Sequence, residues 1–574
     1  MGFGIWSLEF LFPMNASTLQ RFNASTISWL ALLGVFFGAF LAYPVAYVVK
    51  GAFWPHGTFS LEYFALLFQS PLFLQCTLNS LLIGVFVTVL CTLIALPLAH
   101  WFTRYSLRGK AILSALLLAP MILPPFVGAI GIKQLFSRYG SVNLLLGTEI
   151  DWLGDGGFWG VIVLEALHLY PILFLNLSAA MANIDPTLRE AAENLGARGW
   201  RLFRTVTLPL ALPGYFAGAI LIFIFALTDL GTPLIFGFYR VLPVQIFDKV
   251  TETSTNPMGY ALVMLLLLLT FALFIISKKF FGNQRYEMIS RGGHTTGETK
   301  ASGATATLIY GTTLALVAVA LLPHASVIVS SFAGKWFFSV LPEELTVAHY
   351  GDVFHHGLTL SSIRNSLLFS SLSAIVDLFL GVLIAWLVTR KLKRGAGFLD
   401  ALAMLPLVLP GIVLAFGYVA GFDWKISWIN PRENPTLLLV ISYSVRRLPY
   451  IVRAAVAGFQ QSSVTLEEAS ANLGASTFTT MRRITIPLVM ANLIAGSILT
   501  FSFAMLEVSD SLVLAMKQDF YPITKAIYHL LGRIEPDAPA VACAMGVLGM
   551  LLLWASLLTA SKILGKKMGA LFRA

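Results

Sequence analysis

Long apolar runs recur from one end of this sequence to the other, and they restrict the chain to one kind of architecture. A helix needs roughly 20 apolar residues to cross about 30 Å of hydrocarbon. Because lipid offers the backbone no hydrogen-bond partner, each such run is expected to be helical. About twelve candidate spans lie near residues 27–49, 74–103, 111–135, 158–182, 211–236, 258–280, 305–332, 365–389, 398–421, 436–460, 489–514 and 538–562.

Composition supports a membrane protein and gives the expected orientation. Hydrophobic residues make up 57% of the chain and charged residues only 11%. The formal charge of +10 could indicate a nucleic-acid partner, but the basic residues cluster in alternate short loops, which the positive-inside rule explains better. These loops hold Arg104, Arg108, Lys110, Arg189, Arg198, Arg201, Arg204, Lys278, Lys279, Arg390, Lys391, Lys393, Arg394, Arg482 and Arg483. We therefore expect a multi-pass membrane protein with both termini in the cytoplasm. The first basic residue is Arg21, so no charged region precedes an apolar one and no cleavable signal peptide is expected.

The sequence contains an internal repeat. Leu188–Pro209 and Leu466–Pro487 match at an offset of 278 residues, and the same register pairs Asp229 with Glu507. Upstream the offset is 286, which pairs Asn79-Ser80 with Asn365-Ser366. Since the halves share span order and orientation, they are expected to be parallel repeats about an axis along the membrane normal. The predicted fold is an all-α polytopic membrane protein of about 12 transmembrane helices in two homologous six-helix halves.

The repeat divides the chain into predicted segments. A polar stretch from Lys278 to Ala304 separates the halves. The segments are an N-terminal part with the first span (1–73), a first repeat core (74–280), a cytoplasmic linker (281–304), the seventh span with an outer loop (305–360), a second repeat core (361–562) and a basic cytoplasmic tail (563–574).

Each repeated loop carries one short motif. The first reads Glu190, Ala191, Ala192, then Gly196 and Pro209; the second reads Glu468, Ala469, Ser470, then Gly474 and Pro487. This pattern resembles the "EAA" loop (Glu-Ala-Ala) of binding-protein-dependent ABC importer permeases. In the second copy Ser470 replaces the last alanine of the motif. The resemblance covers roughly 70–280 and 360–562. The fused double length is most similar to the branch that includes ferric-iron and 2-aminoethylphosphonate-type permeases.

The local physics of the loop can be read without the resemblance. Asp185 and Pro186 form an N-cap followed by proline at the first turn, so a short helix is expected to follow. Gly196 suits the left-handed cap that ends such a helix. Pro209 is expected where the next span begins, because proline has no N–H to lose there. The alternative to a docking loop is an ordinary amphipathic connector between spans. A connector of this kind would not be expected to repeat its sequence in both halves.

The resemblance implies partners that the chain does not contain. In the family this loop docks in a cleft of an ATPase subunit, so two loops imply two copies of a cytoplasmic ABC ATPase. A periplasmic or extracellular solute-binding protein is implied as well, and so is a place in the bacterial inner membrane. The sequence has no Gly-x-x-x-x-Gly-Lys-Ser/Thr motif to cradle phosphates, so this chain is expected to be no enzyme and to bind no cofactor, while the partner uses ATP and Mg²⁺. Membrane lipid is an expected partner and nucleic acid is not.

Ionisable residues within spans indicate a possible pathway. Asp229 and Glu507 occupy equivalent places toward the outer ends of the spans that follow the two loops. One hypothesis is that these spans line the pathway, with the acids near its outer mouth. The aromatic residues one or two turns below would form an apolar gate: Phe223, Phe225, Phe501 and Phe503. The alternative is that both acids lie in interfacial loops and hydrogen-bond locally.

The other charged or polar residues within spans favour structural roles. Asp377, in mid-span, would need a partner, and Arg446, Arg447 or Arg453 could supply one, unless the carboxyl is protonated. Glu165 and His168 are expected to form interhelical hydrogen bonds. Neither a catalytic triad nor a metal site is apparent, and the three cysteines have no metal-ligand spacing.

Two questions stay open at this level. The rival to an ATP-driven importer is a secondary transporter driven by an ion gradient, with Asp377 as its proton or sodium site. An integral-membrane enzyme would need a cluster of His, Asp or Cys near an interface, which the sequence lacks. By resemblance ferric iron is the first choice of cargo, with phosphonates or other organophosphates close behind.

Overall fold

The computed structural model describes residues 24–122, 124–281, 299–355, 357–424, 426–535 and 537–564. Helices dominate it. Those of the first half are α1 (Ala24–Phe37), α2 (Tyr43–Phe53), α3 (Glu62–Gln69), α4 (Pro71–Arg104), α5 (Lys110–Ile122), α6 (Pro125–Phe136), α7 (Ser141–Leu146), α8 (Phe158–Ala182), α9 (Pro186–Asn194), α10 (Gly199–Leu202), α11 (Leu208–Thr228), α12 (Gly231–Phe236), α13 (Leu242–Asp248) and α14 (Met258–Phe281).

The second half follows a similar order with fewer separate helices. Its helices are α15 (Gly303–Phe332), α16 (Ala348–His355), α17 (Gly357–Trp386), α18 (Ala396–Met404), α19 (Gly411–Gly421), α20 (Thr436–Gln461), α21 (Val464–Asn472), α22 (Thr477–Thr480), α23 (Ile486–Met505), α24 (Ser509–Leu514), α25 (Ile523–Leu531) and α26 (Ala538–Leu564). Two strand pairs are present: parallel β1 (Tyr105–Ser106) with β2 (Thr299–Lys300), and antiparallel β3 (Ala333–Lys335) with β4 (Glu344–Leu345).

The predicted spans are helical, but two of them are not straight. Within the described residues, 9 helices are long and apolar enough to cross a membrane, and two bent helix pairs bring the number to 11. The predicted spans 111–135 and 398–421 are these pairs, bent by 85° and 93°. Prolines cause both breaks, because each proline removes a helical N–H and clashes with the preceding turn. The predicted span 436–460 is helix α20, whose arginines keep it out of that set.

Three helices form the centre of each half. In the first half α4, α8 and α11 pack against one another; in the second half α17, α20 and α23 do the same. A matched hydrogen bond fixes the register of the repeat: the Ser80 hydroxyl accepts from the Leu242 amide at 2.9 Å, and the Ser366 hydroxyl accepts from the Ile523 amide at 2.7 Å. The predicted pairing of Ser80 with Ser366 is therefore confirmed.

The first helix of each half crosses to the other half. Helix α2 packs on α19, and α15 packs on α6. In each contact a glycine of one helix packs against the backbone of a proline in the other. A Cβ on Gly131 would lie 2.0 Å from the carbonyl oxygen of Pro323, and a Cβ on Gly417 would lie 2.9 Å from the carbonyl oxygen of Pro44. Small residues let helix backbones approach closely, which drives packing within lipid. The halves are thus interlocked, although the sequence assigned each first span to its own half.

Parts of two predicted segments lie outside the described residues. Helix α14 continues to Phe281 and α15 begins at Gly303, so most of the predicted linker falls in the undescribed range 282–298. Most of the predicted basic tail falls in the range 565–574, which is also undescribed.

The glycine contacts between the halves give a test of this interlock. We expect Gly131→Ala to lower the thermal midpoint of the purified chain, because its Cβ meets a backbone oxygen that must move. Overpacking of this kind costs about 1–3 kcal/mol. Gly311→Ala on α15 is the matched control: nothing lies within 4 Å of its Cβ, so it should be neutral or stabilising. Equal midpoints for the two variants would contradict the packing described.

Candidate functional site

The first repeated loop has the predicted helix–glycine–helix form. Helix α9 begins where Asp185 Oδ1 accepts a hydrogen bond from the Thr187 amide at 2.9 Å, and Pro186 is its first residue. It ends before Gly196, which has a φ of +85°. A π-helical turn, Phe203–Thr207, then joins α10 directly to α11, in which Pro209 is the second residue. The predicted caps of this loop are confirmed.

The second repeated loop has the same backbone. Ser463 caps α21, and Gly474 has a φ of +83°. A π-helical turn, Met481–Thr485, again joins the second short helix to the following span, in which Pro487 is the second residue. A π-turn is rare and often marks a functional segment. Its presence at equivalent places indicates that each loop and the span behind it are one continuous element.

The predicted motif residues lie on the surface of these loops. Glu190, Ala191, Glu468 and Ala469 are exposed. In the second loop Ser470 stands where the motif has alanine. Ser470 is buried, and its hydroxyl forms a hydrogen bond of 2.9 Å with the Thr480 hydroxyl. The equivalent positions in the first loop are Ala192 and Leu202. The first loop therefore has two apolar residues where the second has a hydrogen-bonded pair, and both loops keep the same helix–glycine–helix backbone.

Large apolar side chains project from both loops, a feature that the sequence analysis missed. Leu195 and Leu473 are each 89% exposed, and the equivalent aromatic residues Trp200 and Phe478 are 70% and 75% exposed. Repeated exposure of large apolar groups marks an interaction surface rather than chance. The signal was available, because each pair is separated by the same 278 residues as the motif.

The two loops are anchored differently. In the second half Arg390 forms an ion pair with Glu467 at 3.0 Å and donates to the Phe459 carbonyl oxygen at 2.7 Å. The equivalent residues of the first half are Arg104 and Arg189, which have like charges. Burial and the nearby Arg104 guanidinium lower the pKa of Arg189. The second loop therefore has an electrostatic tether that the first lacks.

At the other end of α11 and α23, the two halves meet. Each span stops just before or beside its predicted acid: Asp229 follows α11, and Glu507 follows α23. A Cβ on Gly231 would lie 2.9 Å from Val508 Cγ1 of the other half. Because residues 229–231 and 507–509 are equivalent, their contact places them at the axis that relates the halves. The predicted equivalence of the two acids thus extends to a shared central position.

Glu507 is held by two arginines. Its carboxylate accepts hydrogen bonds from Arg446 Nη1 and Arg447 Nη2 on α20, and it is buried. Arg446 also lies 3.6 Å from Asp510. The Arg447 guanidinium stands 5.6 Å from the Phe503 ring centroid. Burial of a single charge costs much free energy of desolvation, and burial of oppositely charged groups as a pair costs far less.

Asp229 has a different environment. It accepts a hydrogen bond from the Thr232 amide at 2.8 Å, and the Thr232 hydroxyl donates to Glu165 at 2.7 Å. The first half therefore gathers two carboxyls where the second pairs a carboxylate with arginines. The predicted interhelical hydrogen bonds of Glu165 and His168 are confirmed, since His168 Nδ1 donates to the Pro120 carbonyl oxygen at 2.9 Å.

Asp377 does not have the partner proposed from sequence. Its carboxylate accepts a hydrogen bond from the Ser444 hydroxyl, whereas Arg446 and Arg447 bind Glu507 and Arg453 pairs with Asp400 at 3.1 Å. The sequence could not rank these partners, because residues 444 to 447 on one helical turn point in different directions.

A small cavity lies between the halves at this level. Ile224, Phe225 and Thr228 of α11 line one side, and the break between α18 and α19 lines another, with Arg446, Arg447 and Tyr450. Of the four predicted aromatic residues, Phe225 reaches this cavity and Phe503 contacts Tyr450 and Arg447 beside it. Phe223 instead points toward Gly84 on α4, and Phe501 is half-buried. In the described part of the chain, no group of three or more His, Cys, Asp or Glu could hold a metal ion.

Known proteins resemble this chain over most of its length. A family model for the inner membrane component of binding-protein-dependent transport systems matches residues 92–282 and 377–569. The ferric transport system permease protein FbpB of Actinobacillus pleuropneumoniae is 28% identical over 93% of this chain and 77% of its own length. The Fe(3+)-transport system permease protein FbpB 2 of Haemophilus influenzae is 24% identical over 87% of this chain and 92% of its own length. The spermidine/putrescine permease PotC of Escherichia coli is 29% identical over 38% of this chain and 79% of its own.

The ion-paired carboxylate at the axis can be tested by stability. We expect Glu507→Gln to lower the free energy of unfolding by about 3 kcal/mol, the lower end for a buried pair, because two partly buried guanidinium groups lose this counter-charge while Arg446 keeps Asp510. Thermal unfolding of the detergent-solubilised chain measures this. Asp229→Asn is the matched control at the equivalent position: an amide oxygen can still accept from Thr232, so a small change is expected. A greater loss for Asp229→Asn would contradict the charge assignment.

Proposed function

This chain belongs to the family of inner membrane components of binding-protein-dependent transport systems, and we propose that its cargo is ferric iron or an oxyanionic phosphorus compound. It is an ABC-type permease of an importer and a multi-pass membrane protein. Ferric iron is favoured because two relatives named as ferric transport permeases align over 87% or more of this chain. The phosphonate and organophosphate alternatives rest on the sequence resemblance alone.

Two copies of a separate ATPase supply the energy in this proposal. The exposed pairs Leu195/Trp200 and Leu473/Phe478 carry the argument, since they form matched apolar surfaces on two equivalent loops. Apolar side chains that enter a partner's pocket usually provide most of the binding energy of such an interface. Glu190 and Glu468, exposed beside them, would meet basic groups at the rim. ATP and Mg²⁺ would be bound by the partner.

The continuity of loop and span supports a lever mechanism. Each loop leads through its π-turn into a span of about 20 residues, roughly 30 Å long, whose far end lies at the axis. A movement imposed on the loops by the ATPase would therefore reach residues 229–231 and 507–509 without passing through a flexible joint. In this proposal the two segments, which are in contact here, separate to open the pathway.

Orientation and the second partner follow from the same proposal. The basic residues near the repeated loops favour the cytoplasm on that side, with both termini there as well. A solute-binding protein would then deliver cargo to the opposite face, near the axis end of α11 and α23. The name of the matched family describes transport that depends on such a protein.

The rival of a gradient-driven transporter is less well supported. It needs an accessible ion site, and Asp377 was its candidate. Asp377 is fully buried and bound to Ser444, and the equivalent position in the first half is Cys91, whose thiol donates to the Ala166 carbonyl oxygen at 3.5 Å. Because Asp377 and Cys91 each form one hydrogen bond to a neighbouring helix at equivalent positions, these contacts indicate a role in helix packing. Purified chain alone in vesicles with a proton or sodium gradient should show no uptake.

The exposed leucines test ATPase docking. We expect Leu195→Asp with Leu473→Asp to weaken binding of the ATPase by more than about 30-fold, because each change places a charge in an apolar contact worth about 2 kcal/mol. Binding is measured by titration of the purified ATPase, and each single variant should retain one of two sites. Leu345→Asp is the control, since Leu345 is 74% exposed on β4 at the opposite end. Full binding by the double variant would refute docking at these loops.

Cargo and energy source are tested together by reconstitution. Vesicles that hold this chain with its ATPase inside should take up radioactive ferric iron when a ferric-loaded binding protein and internal ATP are both present. Omission of ATP or of the binding protein should abolish uptake. If a phosphonate is taken up instead, the iron assignment fails but the importer remains; if uptake ignores ATP, the importer mechanism fails.

A further inference from the structure

We propose that Arg446 and Arg447 form an oxyanion-binding site on the transport pathway, and that Glu507 occupies this site until an oxyanionic group of the cargo replaces it. The inference rests on the proposed function, which makes the axis the route of the cargo. It assigns to the permease itself a step of cargo recognition, in addition to the recognition by its binding protein.

The position of the two arginines supports a pathway role. Both line the cavity between the halves, opposite Phe225 and Thr228 of α11. The cavity has a volume of about 30 Å³, which is room for about two water molecules. A cavity of this volume leaves no room for a phosphate-sized anion beside the two arginines, so in this proposal the anion takes the place of the Glu507 carboxylate that they bind.

The surroundings are built to hold guanidinium groups. A Cβ on Gly411 would lie 2.2 Å from Arg446 Nη1, so this glycine leaves the space that the side chain fills. Gly411 is also the first residue of α19, an 11-residue helix whose N-terminal end carries a partial positive charge. The Nε of Arg447 is buried and has no hydrogen-bond partner among the described residues. The site thus combines two guanidinium groups, a helix N-terminus and an unused donor.

The equivalent position of the first half carries a side chain that satisfies the backbone at the helix break. Residue 168, equivalent to Arg446, is a histidine that donates to the Pro120 carbonyl oxygen, which the neighbouring helix break leaves free. Arg446 instead turns to Glu507. A neutral side chain would satisfy the backbone at this break, so packing alone does not call for two adjacent cations.

Guanidinium groups match oxyanions in geometry as well as charge. Their planar arrangement of donors binds carboxylate or phosphate oxygens in pairs. Glu507 now accepts one hydrogen bond from each arginine and is carried on the segment that ends α23. Movement of that segment away from α20 would remove the Glu507 carboxylate, and an incoming oxyanion would replace it as the counter-charge of Arg447 and as the second counter-charge of Arg446 beside Asp510.

Chemical rescue of the full-length chain tests the site. In Glu507→Gln, Arg447 has lost its carboxylate partner and Arg446 keeps only Asp510 at 3.6 Å, so inorganic phosphate should raise the thermal midpoint in a saturable way, while chloride at equal ionic strength should not. Adding Arg447→Gln should raise the phosphate concentration needed for half the effect by at least about tenfold. Arg453→Gln in the Glu507→Gln background is the matched control: it lies on the same helix, pairs with Asp400 and leaves rescue intact.

Two results would overturn the proposal. One is a phosphate effect on Glu507→Gln no larger than that of chloride; the other is equal rescue when Arg447 is also replaced. Either would reduce the cluster to a structural ion pair. If Glu507→Gln does not yield folded protein, the conservative Arg447→Lys, which keeps the charge and loses the planar donors, is assayed for ATP-driven uptake and should raise the cargo concentration at half-maximal rate.

The uptake assay also separates the two sources of an oxyanion. If the oxyanion is the cargo, Arg447→Lys impairs uptake of a radioactive phosphonate. If it is a ligand that accompanies ferric iron, the variant impairs iron uptake to a degree that depends on the oxyanion supplied with the iron. The rescue experiment uses neither ATPase nor cargo, so its failure would leave the importer assignment untouched, and failure of ATP-driven uptake in the wild type would leave the rescue result standing.

Discussion

Within hydrocarbon a helix can be interrupted only where protein surrounds the break, and this constraint shapes the whole molecule. The bend before Pro125, the bend before Gly411 and the ends of α11 and α23 all leave backbone groups without helical partners. These breaks gather near the axis or against neighbouring helices. Side chains satisfy several of the exposed groups: His168 reaches the Pro120 carbonyl oxygen, and Thr524 reaches that of Glu507. The interlocked first helices then cover α6 and α19, the arms that follow the two bends.

The two halves share a backbone and differ in charge. At the repeated loops the matched features are the caps, the π-turns and the exposed leucines, as expected if both loops meet copies of one partner. At the axis the equivalent residues are Asp229 and Glu507, yet one lies beside a second carboxyl and the other beside two arginines. If the proposed cargo is held between the two halves and is itself asymmetric, it has no need for symmetric recognition. Duplication followed by divergence at one end accounts for both observations.

The sequence was sufficient for the features that depend on local chemistry. Apolar length predicted the helices, the repeat predicted the equivalence of Asp229 with Glu507, and Gly196 and Pro209 marked the limits of the first loop. It was not sufficient for features that depend on direction in space. Arg446 and Arg447 were assigned to Asp377 as possible partners, because spacing along the chain does not show that they face α23. The bends at Pro120–Pro124 and Pro406–Pro410 had prolines as their signal, but the crossing of α2 and α15 to the opposite half had no local signal at all.

The asymmetric anchoring of the loops bears on how force would pass through the molecule. The second loop is tied by Arg390 to Glu467 and to the end of α20, the helix that also carries Arg446 and Arg447. The equivalent residues of the first half are Arg104 at the end of α4 and Arg189 on α9, which cannot form this ion pair. A displacement of the second loop would therefore act on α20 as well as α23, the two helices that hold the arginines and Glu507. The half with the charged cluster is thus also the half in which loop and core are joined by an ion pair, and a motor movement there would bear directly on whether Glu507 stays in its site.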